Sequence, residues 1–384
     1  MVNHPLSLLS LLACHFKKPI FFSWSSARIP GTLALSASLE VMPQETAPYA
    51  GRKRSPIWLW SKRIIGGTVA LFVLAATVGL IDQAIFTAQS KRRYPAPGRL
   101  VAVAGYRMHI NCMGNGTPTV ILESGLGGYS LYWTLVQPEI AKFTRVCSYD
   151  RAGLGWSDAR PEARTSKETA SELSALLAAA EISGPYLMVG HSVGGYYART
   201  FVAQNRDRVA GVVLVDSSHP DQEIRSPESP ASKQRFRELL RAGRITMIFG
   251  LPRWLGKCGS GGSNFLPQLR PVHAMLVARD CRSEYISEIE AEVDGMDESR
   301  QEVRDSGTLG EIPLVVISRD PSQSDEQWKQ MQRELTQLSS RGTQIIAKDS
   351  GHFIQVDRPD VVVDAIHRVL DEAGKKSQSL SYAH

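Results

Sequence analysis

Residues 185–195 read PYLMVGHSVGG, and they are the most informative part of the sequence about the fold. Its first five residues predict a short buried strand, and residues 196–205 predict a helix. Between them stands the motif G-x-S-x-G, which places a serine on a sharp turn that exposes its hydroxyl at the edge of a sheet. Glycine is needed at Gly190 and Gly194 because a Cβ there would clash where strand and helix close on each other. Ser192 is therefore the candidate nucleophile.

Strand and helix patterns alternate on both sides of this motif. A helix is predicted to begin at the capping box Thr165-Ser-Lys-Glu168, in which the two end residues satisfy free backbone N–H groups reciprocally. Such alternation implies an α/β fold, with a mostly parallel sheet covered by helices on both faces. Eight strands are predicted, at residues 100–103, 106–112, 119–122, 145–149, 185–189, 209–215, 313–317 and 343–347.

A serine hydroxyl is a poor nucleophile unless a base removes its proton. In this strand–turn–helix context the partners follow the serine in the order acid, then histidine. His352 follows the last predicted strand on a loop, where a base facing a serine at the sheet edge is expected. His191 is too close to Ser192 in the turn to reach back, and His219 fits the order less well. His352 is the candidate base.

The acid that would orient the imidazole has three candidates. Asp216 directly ends the strand after the motif, so the sheet fixes its carboxylate. Asp320 and Asp325 follow the next strand; Asp320 can also be read as an exposed loop charge paired with Arg319. The sequence favours Asp216 and leaves the other two open.

Acyl transfer also needs N–H donors for the oxygen that becomes negative in the transition state. The N–H of Val193, directly after the candidate nucleophile, is one. The second is expected from Gly125-Leu126-Gly127, a glycine-rich turn that follows the third predicted strand. A plain turn is the alternative interpretation of this loop.

Together these motifs resemble the α/β-hydrolase superfamily over residues 98–374. The stretches that carry the resemblance are VILESGLGG (120–128), TRVCSYDRAGLGWSD (144–158), VGHSVGG (189–195), VLVDSSHPDQ (213–222) and SGHFIQVDRP (350–359). The resemblance implies a second oxyanion donor at Leu126, although Ser124-Gly125 stands where most members have His-Gly. Some members place the acid at the position of Asp216, and most place it near Asp320, but the usual Gly-x-x-Asp is absent there. A serine at 192 disfavours the branches that use an aspartate nucleophile.

The resemblance also assigns residues 219–308 to a variable cap over the active site. Within it, Ile245–Leu255 holds an apolar cluster that would line an acyl pocket or form the core of the cap. Cys258 and Cys281 flank the glycine-serine run GSGGS and could pair. Cys112 and Cys147 lie on strands that are neighbours in the sheet order of the superfamily, where they form a disulfide or serve as small buried side chains.

The N-terminal region predicts a membrane anchor. Residues 64–81 carry no charge, and extending the run to residue 86 gives a helix long enough to span about 30 Å of hydrocarbon. Five basic residues precede the run closely and three follow it, which favours a cytoplasmic N-terminus and an extracytoplasmic hydrolase domain. Residues 1–63 are expected to be a disordered basic tail, with Met42 as an alternative start, residues 87–97 a linker, and residues 375–384 a C-terminal tail.

Charge and cysteine spacing exclude several other classes of protein. The net charge is +6 overall, but residues 1–93 hold 11 Lys and Arg against three acids, so the rest is slightly acidic. We therefore expect no nucleic-acid binding. The five cysteines show no metal-type spacing, and we expect neither metal nor cofactor.

The sequence thus predicts an anchored serine hydrolase, esterase-like, acting on an apolar small-molecule acyl substrate through an acyl-Ser192 intermediate. The alternatives are a cofactor-free haloperoxidase, a peptidase or a carbon–carbon hydrolase on the same site. A non-catalytic binding protein of this fold is a further alternative.

Overall fold

A computed structural model of the protein describes residues 56–160, 164–258 and 266–381. The predictions for residues 1–55, Met42 among them, and for the GSGGS run lie outside the described residues. The chain divides into two units, with the boundary between Ala76 and Thr77, and the sheet and the cap belong to the unit that contains Thr77.

One sheet of eight strands organises this unit. Its strand order is β1-β2-β4-β3-β5-β6-β7-β8; β2 pairs antiparallel with β1 and β4, and all later neighbours are parallel. The mostly parallel sheet of the prediction is confirmed. The strands are β1 (Arg99–Val103), β2 (Tyr106–Met113), β3 (Thr119–Glu123), β4 (Val146–Tyr149), β5 (Tyr186–His191), β6 (Val209–Val215), β7 (Leu314–Ser318) and β8 (Gly342–Ile346).

Helices cover both faces of the sheet. The helices of the described chain are α1 (Pro56–Arg93), α2 (Gln137–Ile140), α3 (Ser166–Ala179), α4 (Gly194–Gln204), α5 (Gln222–Arg225), α6 (Pro230–Ile248), α7 (Leu251–Trp254), α8 (His273–Asp280), α9 (Tyr285–Asp294), α10 (Met296–Asp305), α11 (Glu326–Thr336), α12 (Ile354–Asp357) and α13 (Pro359–Ser381). The predicted capping box starts α3, since the Thr165 side chain accepts from Glu168 N–H and the Glu168 side chain accepts from Thr165 N–H.

The central strands are buried on both sides, which explains their nearly continuous apolar sequence. Successive side chains of a strand point to opposite faces. In β5, Met188 therefore packs with α3 and α4, whereas Leu187 and Val189 pack with α13. The sheet is thus fixed between two apolar layers, and its carboxyl edge is held rigidly.

The apolar N-terminal run lies in α1, which has the length and composition of a membrane-spanning helix. Trp60–Arg93 is the part that is long and apolar enough to cross a membrane, and its most apolar segment has a mean hydropathy of 2.4. The helix is longer than the sequence predicts: it includes residues 56–63 of the expected tail and 87–93 of the expected linker. At the other end, α13 continues to Ser381 through most of the expected C-terminal tail.

Six helices, α5 to α10, fill the described part of the insertion between β6 and β7. The prediction of a helical insertion at this place is confirmed. The structure also contains two disulfides, Cys112–Cys147 between β2 and β4 and Cys258–Cys281 within the insertion. Both pairings therefore agree with those that the sequence suggested.

Candidate active site

Ser192 stands on the turn between β5 and α4, in the left-handed backbone conformation with φ +55°. A non-glycine residue held in this conformation is strained, and such strain is maintained only where the surroundings fix it. The surroundings here are two close approaches. A Cβ on Gly190 would lie 2.6 Å from the carbonyl oxygen of Gly194, and a Cβ on Gly194 would lie 2.6 Å from that of Ser124. Gly190 is therefore required where β5 and α4 close on each other, as predicted, whereas Gly194 is required because the end of β3 lies against the turn.

The glycine-rich loop after β3 lies directly against this turn. A Cβ on Gly125 would be 3.1 Å from the Ser192 Cβ and 3.1 Å from Nδ1 of His191. Leu126 and Val193 belong to one apolar cluster. Among the residues that the structure describes, neither the Leu126 nor the Val193 N–H donates to a protein acceptor. Two unpaired backbone donors thus flank Ser192.

Asp216 ends β6, next to β5 in the sheet, and is completely buried. Its Oδ2 lies 2.6 Å from Nδ1 of His352, and its Oδ1 accepts from Nε1 of Trp328 at 3.0 Å. The guanidinium of Arg319 is 3.3 Å from Oδ2. Burial by itself would raise the pKa of Asp216, but the His352 hydrogen bond and the Arg319 charge outweigh it and hold the pKa below its ordinary value. The carboxylate is therefore kept ionised and fixed in orientation.

His352 lies on the loop after β8, with 22% of its side chain exposed. His191, the residue before Ser192, contacts it twice: Nε2 of His191 is 2.9 Å from the His352 carbonyl oxygen, and the two rings are 4.7 Å apart. Burial, followed by the nearby His352 charge, lowers the pKa of His191 to about 3. His191 is therefore neutral, and its ring N–H donates to the His352 carbonyl. From the sequence His191 was only a poor base, and this supporting contact was not predicted.

The other candidate acids and the other histidine lie in different surroundings. Asp320 accepts from the Ser322 hydroxyl and from the N–H groups of Asp349 and Ser322, and these hydrogen bonds, above all the one from the hydroxyl, lower its pKa to about 2. Asp325 caps α11 by accepting from the Trp328 N–H. His219 is 3.7 Å from Glu334, away from His352. The suggested partner of Asp320, Arg319, instead contacts Asp216.

A buried ion network holds the glycine-rich loop from behind. Arg151 donates to the carbonyl oxygens of Ser124 at 2.8 Å and Gly125 at 2.7 Å. It also pairs with Glu123 at 2.7 Å and with Glu292 at 2.6 Å. Burial raises the pKa of Glu123 to about 7, although Arg151 opposes the rise.

Glu292 connects this network to the insertion, because it lies on α9. Its second oxygen accepts from the Gly127 N–H at 2.7 Å, and the Tyr285 hydroxyl donates to the Gly127 carbonyl at 3.3 Å. The helix therefore lies over the loop, as expected of a cap. The roles of Arg151, Glu292 and Tyr285 were not predicted from the sequence. The position of Arg151 directly after β4 was the available signal for that residue, whereas Glu292 lies in a variable insertion, where no motif indicates a role.

In the described ranges, no group of three or more His, Cys, Asp or Glu side chains is placed to hold a metal ion. The chemistry supplied by the chain at this edge of the sheet is a serine, an imidazole with a buried carboxylate behind it, and two backbone donors.

These features define an α/β protein of the hydrolase class, with a serine presented on a strand-to-helix turn. Residues 120–365 match the family described as "Alpha/beta hydrolase family". The chain belongs to this family, and the fold indicates a hydrolase that acts on a small molecule.

The chain is also similar to individual proteins. An uncharacterised protein of Schizosaccharomyces pombe (strain 972 / ATCC 24843) is 26% identical over 365 residues, which cover 83% of this chain and 66% of the relative. The uncharacterised protein YqjL of Bacillus subtilis (strain 168) is 27% identical, over 70% of this chain and 90% of its own length. Among solved structures, a thermophilic esterase from Thermogutta terrifontis superposes with a TM-score of 0.55 and 22% identity, covering 72% of this chain and 98% of the esterase. At that identity the likeness concerns the fold alone.

Proposed function

We propose that the protein is a serine hydrolase that cleaves a carboxylic ester, amide or thioester bond through an acyl-Ser192 intermediate. The observation that carries the proposal is the 2.6 Å contact between Asp216 and Nδ1 of His352 at the edge of the sheet where the strained Ser192 turn is located. A buried carboxylate on Nδ1 leaves Nε2 of the imidazole as the proton acceptor, which is the arrangement that activates a serine.

The reaction follows from these roles. Nε2 of His352 takes the proton of the Ser192 hydroxyl as its oxygen attacks the carbonyl carbon of the substrate, and Asp216 stabilises the imidazolium that forms. His352 then gives the proton to the leaving group as its bond to the carbonyl carbon breaks. In the second half, His352 deprotonates water, which attacks the acyl-serine and releases the acid.

The negative oxygen of each tetrahedral intermediate needs donors. The proposal assigns this to the N–H groups of Leu126 and Val193, because both flank Ser192 and have no protein acceptor in the described part of the chain. Gly125 allows the approach, since a side chain there would meet Ser192.

We also propose that α1 anchors the enzyme in a membrane as a single span, with the N-terminus cytoplasmic and the hydrolase domain on the other side. The length and hydropathy of the helix support the span, and the excess of basic residues before the apolar run supports the orientation.

Labelling by a fluorophosphonate tests the nucleophile and the acid together. In the full chain, Ser192→Ala should abolish labelling. Asp216→Asn should slow labelling and ester hydrolysis by roughly 10³–10⁴, the order expected when the imidazole loses its orienting carboxylate.

Asp320→Asn is the matched control. Asp320 also lies in a loop near this edge of the sheet, but its carboxylate caps a turn by accepting from the Ser322 N–H. It should leave the labelling rate within about twofold of wild type. Labelling of Ser192→Ala at the wild-type rate would refute the nucleophile, and the opposite order of the two aspartate variants would move the acid to Asp320.

A further inference from the structure

The apolar cluster of the cap is exposed. Lining an acyl pocket or forming the core of the cap were the two roles expected from the sequence, and both need buried side chains. Within this cluster only Met247 is buried. Five of its side chains, which we name the cap apolar face, are between 40% and 61% exposed: Ile245, Ile248, Leu251, Trp254 and Leu255. A contiguous exposed patch of large apolar side chains marks a surface that contacts something other than water.

The segment that carries this face packs against the part of α1 that follows Thr77. Asp82 forms an ion pair with Arg253 and accepts from Nε1 of Trp254 at 2.9 Å. The Arg253 guanidinium lies over the Phe86 ring, 4.5 Å from its centroid. At the end of α8, the carbonyl oxygen of Cys281 accepts from Nε2 of Gln83 at 2.6 Å. The cap apolar face is therefore held in a fixed position beside residues 79–86.

The spacing of these contacts gives α1 two different faces. The residues that contact the cap, 79, 82, 83, 86 and 90, recur at helical intervals along one stripe. Val78, Ile81 and Ile85 lie on another stripe and are at least half exposed. The part of α1 that packs against the cap, residues 79–86, thus also carries an exposed apolar stripe.

The exposed charged side chains of the same cap segment are mostly basic. Arg241, Arg244 and Lys257 are exposed there, with Arg244 paired to Glu290 at 3.5 Å and Glu238 as an exposed acid, and Lys91, Arg92 and Arg93 are exposed at the end of α1. Tryptophan and large aliphatic side chains with a basic rim are typical of surfaces that enter the headgroup region of a bilayer.

From this arrangement we propose that the cap apolar face lies in the interfacial layer of the membrane that α1 spans, so that the site takes acyl esters dissolved in that bilayer. This rests on the proposed anchor and the proposed esterase chemistry. Glu292, on α9 of the same cap, accepts from the Gly127 N–H in the loop beside Ser192. The cap that carries the membrane-facing surface on α6 and α7 is therefore also the cap that contacts this loop.

The first experiment locates the surface directly. The full chain is reconstituted in phosphatidylcholine–phosphatidylglycerol vesicles that contain a lipid with a diazirine on its acyl chain, irradiated, and mapped by mass spectrometry. Adducts are expected within residues 245–255 as well as in α1. Adducts confined to α1 would overturn the proposal while leaving the anchor intact, and absence of adducts from α1 would refute the anchor itself.

The second experiment tests the consequence for the substrate. The double variant Ile245→Glu with Leu255→Glu should lower the rate on a long-chain ester held in vesicles about tenfold or more. Its rate on a dissolved short-chain ester should stay within about twofold of wild type, because neither residue contacts the site.

Ile224→Glu is the matched control, since Ile224 is 71% exposed in the cap insertion but lies on α5, which packs against α11. It should change neither rate. Equal rates of the double variant and wild type on the vesicle-borne ester would overturn the proposal. Cross-links between the caps of two copies, in place of lipid adducts, would assign the face to a dimer and overturn it also. Failure of Ser192 labelling would refute the esterase chemistry separately.

Discussion

His191 supports the site in a way that depends on its neutrality. Its ring is buried between the Gly125 loop and His352, and its N–H donates to the His352 carbonyl. A charged imidazole here would repel a protonated His352, the state that forms during the proposed reaction. Because burial lowers the pKa of His191 to about 3, it remains neutral over the range in which an ordinary histidine titrates.

This low pKa predicts a specific loss of stability in acid. The pKa of His191 is 6.5 when unperturbed and about 3 in the fold, so the unfolded state binds the proton more tightly. The stability that this difference provides is complete above pH 6.5 and is lost as the pH falls toward 3. Between pH 7.5 and 5 the wild type should lose about 2 kcal/mol more than His191→Gln, in thermal unfolding of the full chain in detergent.

Two features keep this measurement specific. Glu123, whose raised pKa of about 7 favours the fold as the pH falls, is present in both proteins and cancels from the comparison. His367→Gln changes an exposed histidine of α13 and should follow the wild-type curve. Parallel curves for wild type and His191→Gln would contradict the neutral, buried state of His191.

Local context and chain order were enough to predict the serine and histidine candidates from the sequence. The structure places Ser192, His352 and Asp216 at one edge of the sheet, and their catalytic roles remain the proposal. The supporting contacts of Asp216 could not be predicted, because Trp328 lies 112 residues away along the chain and only the fold brings it close.

Among the elements, α9 has the most direct effect on the site. Its Glu292 binds both Arg151 and the Gly127 N–H, and Arg151 in turn binds the carbonyl oxygens of Ser124 and Gly125. The orientation of the loop that carries the Leu126 donor is therefore set partly by the cap. A donor that moves away from the developing negative charge loses much of its effect on the transition state.

Replacing Glu292 by Gln should therefore lower kcat for a dissolved ester by about tenfold, with a smaller change in KM. The same change should cost up to about 3 kcal/mol of stability, because Arg151 loses one of its two buried carboxylate partners. The measurements are steady-state kinetics and thermal unfolding of the same preparations.

Glu288→Gln provides the control on the same helix. Glu288 is also buried and pairs with Arg164 at 2.7 Å, but it makes no hydrogen bond to residues 124–128 among the contacts of the described chain. Glu288→Gln should reduce stability about as much as Glu292→Gln does, while its kcat stays within about twofold of wild type. Equal losses of kcat in both variants would show that the effect of Glu292 is general destabilisation of the cap.

The central strands were predictable because each is a short, continuously apolar run, and the helices that cover the sheet because their apolar residues recur at helical spacing. The ends of α1 were not, because residues 87–93 are polar and indicate a linker by composition. In the fold this part of the helix has a tertiary contact, since Ser90 is buried and its carbonyl oxygen accepts from Arg279 of the cap. Such a contact between distant parts of the chain is not visible in local composition.

For the whole molecule, two independent features give the same orientation in a membrane. The basic residues before the uncharged run favour a cytoplasmic N-terminus. The disulfides Cys112–Cys147 and Cys258–Cys281 both lie after α1, and disulfides persist mainly in oxidising compartments. Each feature supports the proposed orientation, with the hydrolase domain on the side of the membrane away from the cytoplasm, although one concerns insertion and the other redox chemistry.

This agreement predicts how many thiols are free in the protein as made by its cell. Four of the five cysteines form the two disulfides, which leaves Cys14, outside the described residues, as the reactive thiol. Denatured without reductant, the full chain should gain one polyethylene-glycol maleimide, and after reduction it should gain five. Cys14→Ser should gain none before reduction and four after it, which identifies the single free thiol. Five additions to the wild type without reductant would place the domain in a reducing compartment, and the orientation inferred from the basic flank would then have to be reversed.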